Sequence, residues 1–286
     1  MLFWYFLVIV ALIWITFATI TDIKKREVPD WLNYSLIAIG LGSRLIYSLI
    51  TGKYSYILYG LLGAAIFFGI ANFMYYTKQW GGGDGKLLIG LGAMFGNYET
   101  TSLFNPIIKL PFLATLIINI IIAGTVYGLL YAAYLGSKNS KNFFKEFKKQ
   151  NFKHFRIIIP IIILSIVVFY FILDRNIFIP LSLLLLVLVS AILLIQIIKV
   201  IEDISLYKMI DVKKLVEGDW LASDVIKNNK IICKVRNIGL TKEDIIGLKK
   251  NKINKVLVKE GIPFIPGFLF GFIISIVFGD LLFLFF

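Results

Sequence analysis

Long apolar runs alternate along the chain with short polar links that hold most of its charged residues. The first run covers residues 2–20, and as a helix rising about 1.5 Å per residue it can cross the ~30 Å hydrocarbon core of a bilayer. Further runs cover residues 31–50, 56–76, 87–95, 111–135, 157–173 and 178–198, and a last one extends from 261 to 286. The pattern predicts an α-helical polytopic membrane protein with about eight transmembrane helices.

Composition and charge agree with a membrane location. Hydrophobic residues make up 59% of the 286 residues and charged residues only 16%, which is more apolar surface than a soluble core buries. The net charge of +13 comes from Lys and Arg in the links, where the positive-inside rule places them at the cytoplasmic face of a cell membrane. This distribution explains the charge through topology and anionic lipids, so no nucleic-acid partner is expected.

One segment has the composition of a soluble domain. Residues 199–260 mix charged and apolar positions, with strand-like patterns at 231–235 and 255–258 and a capped helix at 241–250. The expected domains are therefore a transmembrane bundle over 1–198, a small cytoplasmic α+β domain over 199–260, and a C-terminal transmembrane helix over 261–286. The sequence does not indicate an oligomeric state.

Two carboxylates stand where apolar runs meet the predicted cytoplasmic face. Asp22 follows the first run, and Asp84 lies in the glycine-rich segment 80–86, which we expect to form a turn before the fourth run. Acidic residues at such depths are functional candidates, because charge is costly near hydrocarbon. Two neighbouring carboxyl groups do not easily both ionise, so the charged one can activate water while the protonated one polarises a peptide carbonyl. We therefore interpret Asp22 and Asp84 as one catalytic pair.

The glycines of this segment have a physical use beside Asp84. Gly81 and Gly83 lack side chains, so the backbone there can approach an extended substrate strand closely. A phosphate-binding loop is the competing interpretation, but Trp80 and Leu87 occupy positions where its pattern requires Gly and a hydroxyl residue. Cys233 and His154 are the chain's single cysteine and histidine, so neither a metal site nor another cofactor is expected.

Two sequence blocks resemble the signatures of the type IV prepilin peptidase and preflagellin peptidase family, which are GxGD membrane aspartic proteases. The first block is Asp22 followed by Lys24, Arg26, Val28 and Pro29, and the second is Gly-Gly-Gly-Asp-Gly-Lys-Leu-Leu over residues 81–88. Their order and spacing match the family together, and the resemblance covers residues 1–135. The later half looks like the C-terminal extension of archaeal members.

The resemblance implies an aspartic endopeptidase that removes short basic leader peptides from pilin-like or archaellin precursors at the cytoplasmic membrane face. Asp22 and Asp84 carry over as the catalytic pair and Gly81 and Gly83 as motif glycines, while Lys86 is a motif position without an assigned role. Bacterial members also methylate the new N-terminus and carry a four-cysteine zinc loop. With one cysteine in this chain, we expect no N-methyltransferase activity.

Two other functional classes remain open from the residues alone. A proton-coupled transporter also uses intramembrane carboxylates, although it usually holds them near the bilayer centre between paired broken helices. A non-catalytic assembly platform would use the basic links and the soluble domain to bind lipids or proteins without cleaving them. Transport in vesicles or binding without proteolysis would distinguish these classes from a peptidase.

Overall fold

The protein was analysed as a computed structural model. It describes residues 2–77, 79–98, 108–149, 197–227, 230–236 and 239–281, together with 106, 160, 169, 170 and 194. The chain divides into two compact units, one formed by Met1–Tyr131 with Met209–Phe286 and the other by Ala132–Lys208. The predicted spans at 157–173 and 178–198 lie almost wholly outside the described residues, and the domain boundaries at 198/199 and 260/261 stay predictions.

The first unit begins with four helices whose ends follow the apolar runs. They are α1 (Leu2–Lys25), α2 (Asp30–Thr51), α3 (Ser55–Tyr76) and α4 (Gly82–Phe95), and α5 (Phe112–Lys138) follows them. Among the described residues, α1, α2, α3 and α5 are long and apolar enough to cross a membrane. The eight predicted spans are therefore confirmed only in part.

The fourth and last runs differ from the prediction. Helix α4 starts at Gly82 rather than near Leu87, so the glycine-rich segment forms the first turn of a helix and not a separate turn before it. The last helix, α8 (Ile265–Val277), has 13 residues and is too short to cross ~30 Å of hydrocarbon alone. Gly279, at φ +79, and the buried Asp280 follow soon after its end.

One apolar core joins the helices of this unit. It contains residues of α1, α2, α3, α4, α5 and α8 together with Trp80. Helix α4 packs very closely on α3, because a Cβ at Gly92 would lie 2.8 Å from the carbonyl carbon of Gly63. Small residues allow helix backbones to approach in this way. The close contact sets the position of α4, which carries Asp84.

Buried polar groups connect the helices at the end of the bundle opposite to Asp84. Arg44 of α2 is fully buried and donates hydrogen bonds to the carbonyls of Met94 and Tyr56 and to the Asn97 side chain. Asp280 accepts the backbone N–H groups of Lys109 and Leu110 just before α5. These contacts give the buried Arg44 and Asp280 side chains hydrogen-bond partners, as stable packing requires.

The residues between α5 and α8 include a small domain with its own apolar core. Its elements are β1 (Tyr207–Asp211), β2 (Trp220–Leu221), β3 (Val225–Lys227), β4 (Lys230–Cys233), α7 (Lys242–Lys250) and β5 (Lys255–Lys259). The strands form a β1-β5-β2 sheet and a β3-β4 hairpin. Thr241 caps α7 by accepting the N–H of Asp244, so the predicted strands and capped helix are confirmed.

The second unit contains the basic link after α5. Its helix α6 (Ser140–Lys149) places Phe143 and Phe147 in a stacked contact, with ring centroids 5.5 Å apart. Aromatic residues on one face and lysines elsewhere are typical of a helix that lies on a membrane surface.

Candidate active site

Asp22 occupies the last turn of α1 and is buried, with 6% of its surface exposed. Its Oδ2 accepts the backbone N–H of Ile265, the first residue of α8, at 3.0 Å. The N–H groups at a helix start lack partners within the helix, and they carry partial positive charge. A carboxylate at this place is therefore held in one orientation by a donor that also compensates its charge.

Asp84 stands in the first turn of α4. Its Oδ2 accepts the backbone N–H of Gly81 at 2.9 Å, so this carboxylate also lies at the positive end of a helix. The residue as a whole is only partly buried. The structure thus gives each predicted aspartate a hydrogen bond to backbone at a helix start.

The two aspartates belong to one end of the bundle. Trp80, which precedes the Gly81 donor, packs against Phe264 and Phe268 with ring centroids 5.5 and 5.2 Å away. Phe264 in turn precedes Ile265, the donor to Asp22. The aromatic contacts therefore bring the two backbone donors, at the starts of α4 and α8, to the same end of the bundle.

The glycines divide into two roles. A Cβ on Gly81 would lie 3.5 Å from the Asp84 carboxylate, an ordinary contact, whereas a Cβ on Gly83 would lie 3.1 Å from Cβ of Val28. Gly83 is therefore packed against the link between α1 and α2. This contact is one that the sequence analysis did not foresee, since it expected the Gly81–Gly83 backbone to face a substrate strand.

Lys86 connects α4 to the start of α2. Its Nζ lies 2.5 Å from Oδ1 of Asp30 and 5.3 Å from the ring centroid of Tyr34. Ion pairs with this degree of exposure contribute about 0.2–1 kcal/mol. The contact places Lys86 in the packing of α2 on α4, one helical turn from Gly83.

Three residues around the aspartates are not evident from the sequence, namely Arg26, Trp80 and Ile265. Arg26 is one of the basic residues of the links, whose charge the sequence explains through topology and lipids, but its guanidinium donates to the carbonyl of Gly261 and to the hydroxyl of Tyr131. Ile265 contributes a backbone N–H, which has no side-chain signal in a sequence. Trp80 is the first residue of the glycine-rich segment, and this position directly before the motif is the sequence signal that could have marked it as part of the site.

The site offers two carboxyl groups on separate helices and backbone donors that orient them. No group of three His, Cys, Asp or Glu residues able to hold a metal occurs among the residues that the structure describes. The chemistry that these side chains supply is proton transfer and water activation by carboxyl groups.

Known proteins were compared with the chain. Residues 9–132, which include Asp22 and Asp84, match the model of the type IV leader peptidase family. Similar curated proteins include a preflagellin peptidase of Methanocaldococcus jannaschii, 35% identical over 91 residues, which are 32% of this chain and 38% of the relative. Another is a preflagellin peptidase of Methanococcus voltae, 27% identical over 145 residues, which are 50% of this chain and 62% of the relative.

The similarity is partial on both sides. The aligned parts span less than two thirds of the curated relatives' length, and no solved structure matches the chain. The matched segment nevertheless contains both sequence blocks and the helices α2, α3 and α4 that position Asp84. The similarity to the type IV leader peptidase family is therefore shown for residues 9–132 of this chain and not for the residues beyond them.

Proposed function

We propose that the chain is a membrane aspartic endopeptidase that cleaves short basic leader peptides from pilin-like or archaellin precursors. The observation that carries the proposal is that Asp22 and Asp84, on different helices, both accept backbone N–H groups at the same end of the bundle. The names of the similar preflagellin peptidases support this substrate class for the chain.

In this mechanism Asp22 and Asp84 hold a water molecule between them. The ionised carboxyl group takes a proton from the water as it attacks the scissile carbonyl, and the protonated one donates to the carbonyl oxygen. The resulting tetrahedral intermediate collapses as the leaving amine takes the proton that the first carboxyl group accepted from water, and the second carboxyl group recovers its proton from the hydroxyl that becomes the new carbonyl. The backbone donors at Ile265 and Gly81 keep each carboxylate oriented, which is the contribution that a preorganised site makes to catalysis.

The two carboxyl groups agree with a basic leader. A site built on carboxyl groups carries negative charge, which favours a positively charged substrate over a neutral one. The apolar helix of the precursor would pack among the spans while its leader remains near Asp22 and Asp84.

The topology belongs to the same proposal. We place the link between α1 and α2 and the domain over 199–260 in the cytoplasm, with the eight predicted spans in the plasma membrane. Because the chain has a single cysteine, we propose leader cleavage without methylation of the new N-terminus.

The test is incubation of pilin-like and archaellin precursors with the purified chain, followed by mass measurement of the product N-terminus. The native chain is expected to cut just before the apolar helix, and Asp22→Asn and Asp84→Asn are expected to give no product. Asp30→Asn is the matched control, because Asp30 is exposed and pairs with Lys86. No cleavage of any precursor by the native chain would reject the proposal.

A further inference from the structure

The start of α8 completes the surroundings of Asp22, although it lies well beyond residue 132, where the family match ends. The segment that delivers it, residues 261–264, is called here the C-terminal link. Immediately after the link, Ile265 donates its N–H to Oδ2 of Asp22 at 3.0 Å. A part of the chain outside the region of family similarity thus contacts one of the two proposed catalytic groups.

Arg26 holds the other end of the C-terminal link. One guanidinium nitrogen donates to the carbonyl of Gly261 at 3.1 Å and another to the hydroxyl of Tyr131 at 2.6 Å. The guanidinium also lies 5.4 Å from the Tyr131 ring centroid, a cation–π distance. These contacts connect the end of α1, the link and α5 through one side chain.

The backbone conformation of Arg26 indicates that contacts with the rest of the protein hold this residue in place. Arg26 has φ +59, a left-handed conformation that is strained for a non-glycine residue. Its N–H donates to the carbonyl of Asp22 at 2.8 Å, so the same turn that ends α1 aims the guanidinium at Gly261. Surrounding contacts must outweigh this strain for the conformation to persist.

Packing fixes the link on its remaining sides. Phe264 lies against Trp80, with ring centroids 5.5 Å apart, and an added Cβ on Gly124 would come within 2.5 Å of the Phe264 ring. An added Cβ on Gly267 would come within 2.5 Å of Cα of Gly124. Helix α8 therefore begins in direct backbone contact with α5 and has little freedom to move away from Asp22.

We propose that Arg26 is a positioning residue for the catalytic Asp22, acting through the C-terminal link. Its bond to Gly261 fixes the link, the link fixes the Ile265 N–H on Oδ2, and Oδ1 of Asp22 stays directed at water and substrate. The inference rests on the proposed function. A donor placed in this way acts on the reacting carboxylate and not on substrate affinity, so its removal affects kcat more than KM.

The first experiment compares cleavage by full-length Arg26→Gln and Arg26→Lys with the native chain. We expect Arg26→Gln to lower kcat ten- to a hundredfold with KM within about twofold, the scale of losing an orienting contact. Arg26→Lys keeps a donor for Gly261 and is expected to recover part of kcat. Lys25→Gln is the matched control, because Lys25 is the exposed neighbouring cation, and it should behave as the native chain.

A cross-link that reconnects positions 26 and 261 distinguishes a positioning role of Arg26 from an effect of its positive charge. In a Cys233→Ser background, cysteines introduced by Arg26→Cys and Gly261→Cys are joined by a short bis-maleimide, which replaces the reach of the arginine side chain. Gly261 has open space around an added Cβ, so that substitution is tolerated. Joined protein is expected to regain kcat, and unjoined protein to resemble Arg26→Gln. Equal rates for both forms would overturn the positioning role.

Hydrogen exchange tests the geometry without using activity. Pro263 and Pro266 have no amide hydrogen, so a peptide covering 263–266 reports only Phe264 and Ile265. These amides should exchange more slowly in the native chain and in Lys25→Gln than in Arg26→Gln. Equal exchange in all three, or an unchanged kcat in Arg26→Gln, overturns the inference while leaving the proposed function intact. A native chain that cuts no precursor rejects the function itself, and with it the positioning role of Arg26.

Discussion

Replacing Gly92 with alanine is expected to move α4 away from α3 and thereby displace Asp84. The two helices touch at this point through backbone atoms. A Cβ on Gly92 would lie 2.8 Å from the carbonyl carbon of Gly63 and 3.0 Å from Cβ of Phe67, and closer still to the Gly63 oxygen. Ordinary contact begins at 3.4 Å, so the backbones must separate by at least 0.6 Å, the difference between 3.4 and 2.8 Å.

The size of the effect follows from this displacement. Overpacking a close contact costs about 1–3 kcal/mol, which lowers the thermal midpoint of the protein in detergent. Asp84 lies eight residues from Gly92, or about 12 Å along the helix, and both belong to the same rigid element. Misplacing a catalytic group by about 1 Å reduces the rate by as much as 10²-fold. We expect Gly92→Ala to reduce kcat about ten- to a hundredfold.

The assay pairs thermal unfolding in detergent with cleavage of a precursor. Gly69→Ala is the matched control, because Gly69 lies on α3 and nothing stands within 4 Å of an added Cβ. The control is expected to keep the native rate and to keep or slightly raise the thermal midpoint, since alanine favours helix more than glycine. If Gly92→Ala has the stability and rate of Gly69→Ala, the close contact does not position α4.

Three further predictions concern buried or charged groups. Arg44→Gln should lower the free energy of unfolding by about 2–4 kcal/mol in a thermal unfolding assay, because the buried oxygens that accept hydrogen bonds from the guanidinium would lose their donors. A variant as stable as the native chain would contradict this. Asp280→Ala should cost about 2–3 kcal/mol in the same assay, since two backbone N–H groups before α5 and the Thr115 hydroxyl lose their acceptor, and Thr115→Val should cost less. Burial raises the pKa of Asp219, and the negative charges of Glu27 and Glu260 raise it further, whereas the hydrogen bond from the Val216 N–H lowers it. Because the pKa of Asp219 is higher in the folded protein than in the unfolded chain, where it is about 3.9, ionisation of this group favours unfolding once the pH rises above that value. Asp219→Asn removes the ionisable group, so the variant should be more stable than the native chain at pH ~8. This difference in stability should disappear near pH ~3.

The sequence predicts the long helices well because one strong signal determines them. Apolar runs of about 20 residues can satisfy their backbone polar groups in a bilayer only as helices, and α2 and α3 begin and end within one residue of the predicted runs. Helix α4 was placed too late, since glycine has low helix propensity. Packing of Gly83 on Val28 and Gly85 on Ala71 outweighs that propensity.

The sequence pattern predicts both aspartates at the same end of the bundle, but it gives no sign of the groups that orient them. The Ile265 donor is a backbone N–H at a position 243 residues from Asp22, and its side chain carries no trace of that role. In the sequence, Arg26 stands beside Lys24 and Lys25 and resembles one of the basic residues that only set membrane topology. Only the left-handed turn at its backbone directs its guanidinium towards Gly261 rather than towards lipid headgroups.

The central claim is that Asp22 and Asp84 act as one catalytic unit. The most direct measurement is the single-turnover cleavage rate of one precursor by Asp22→Asn, by Asp84→Asn and by the double variant, each shown to be folded. If the two carboxyl groups work together, each single variant loses at least about 10³-fold, and the double variant is no slower than the singles within about twofold. Full activity in either single variant, or losses that multiply in the double variant, would contradict the account.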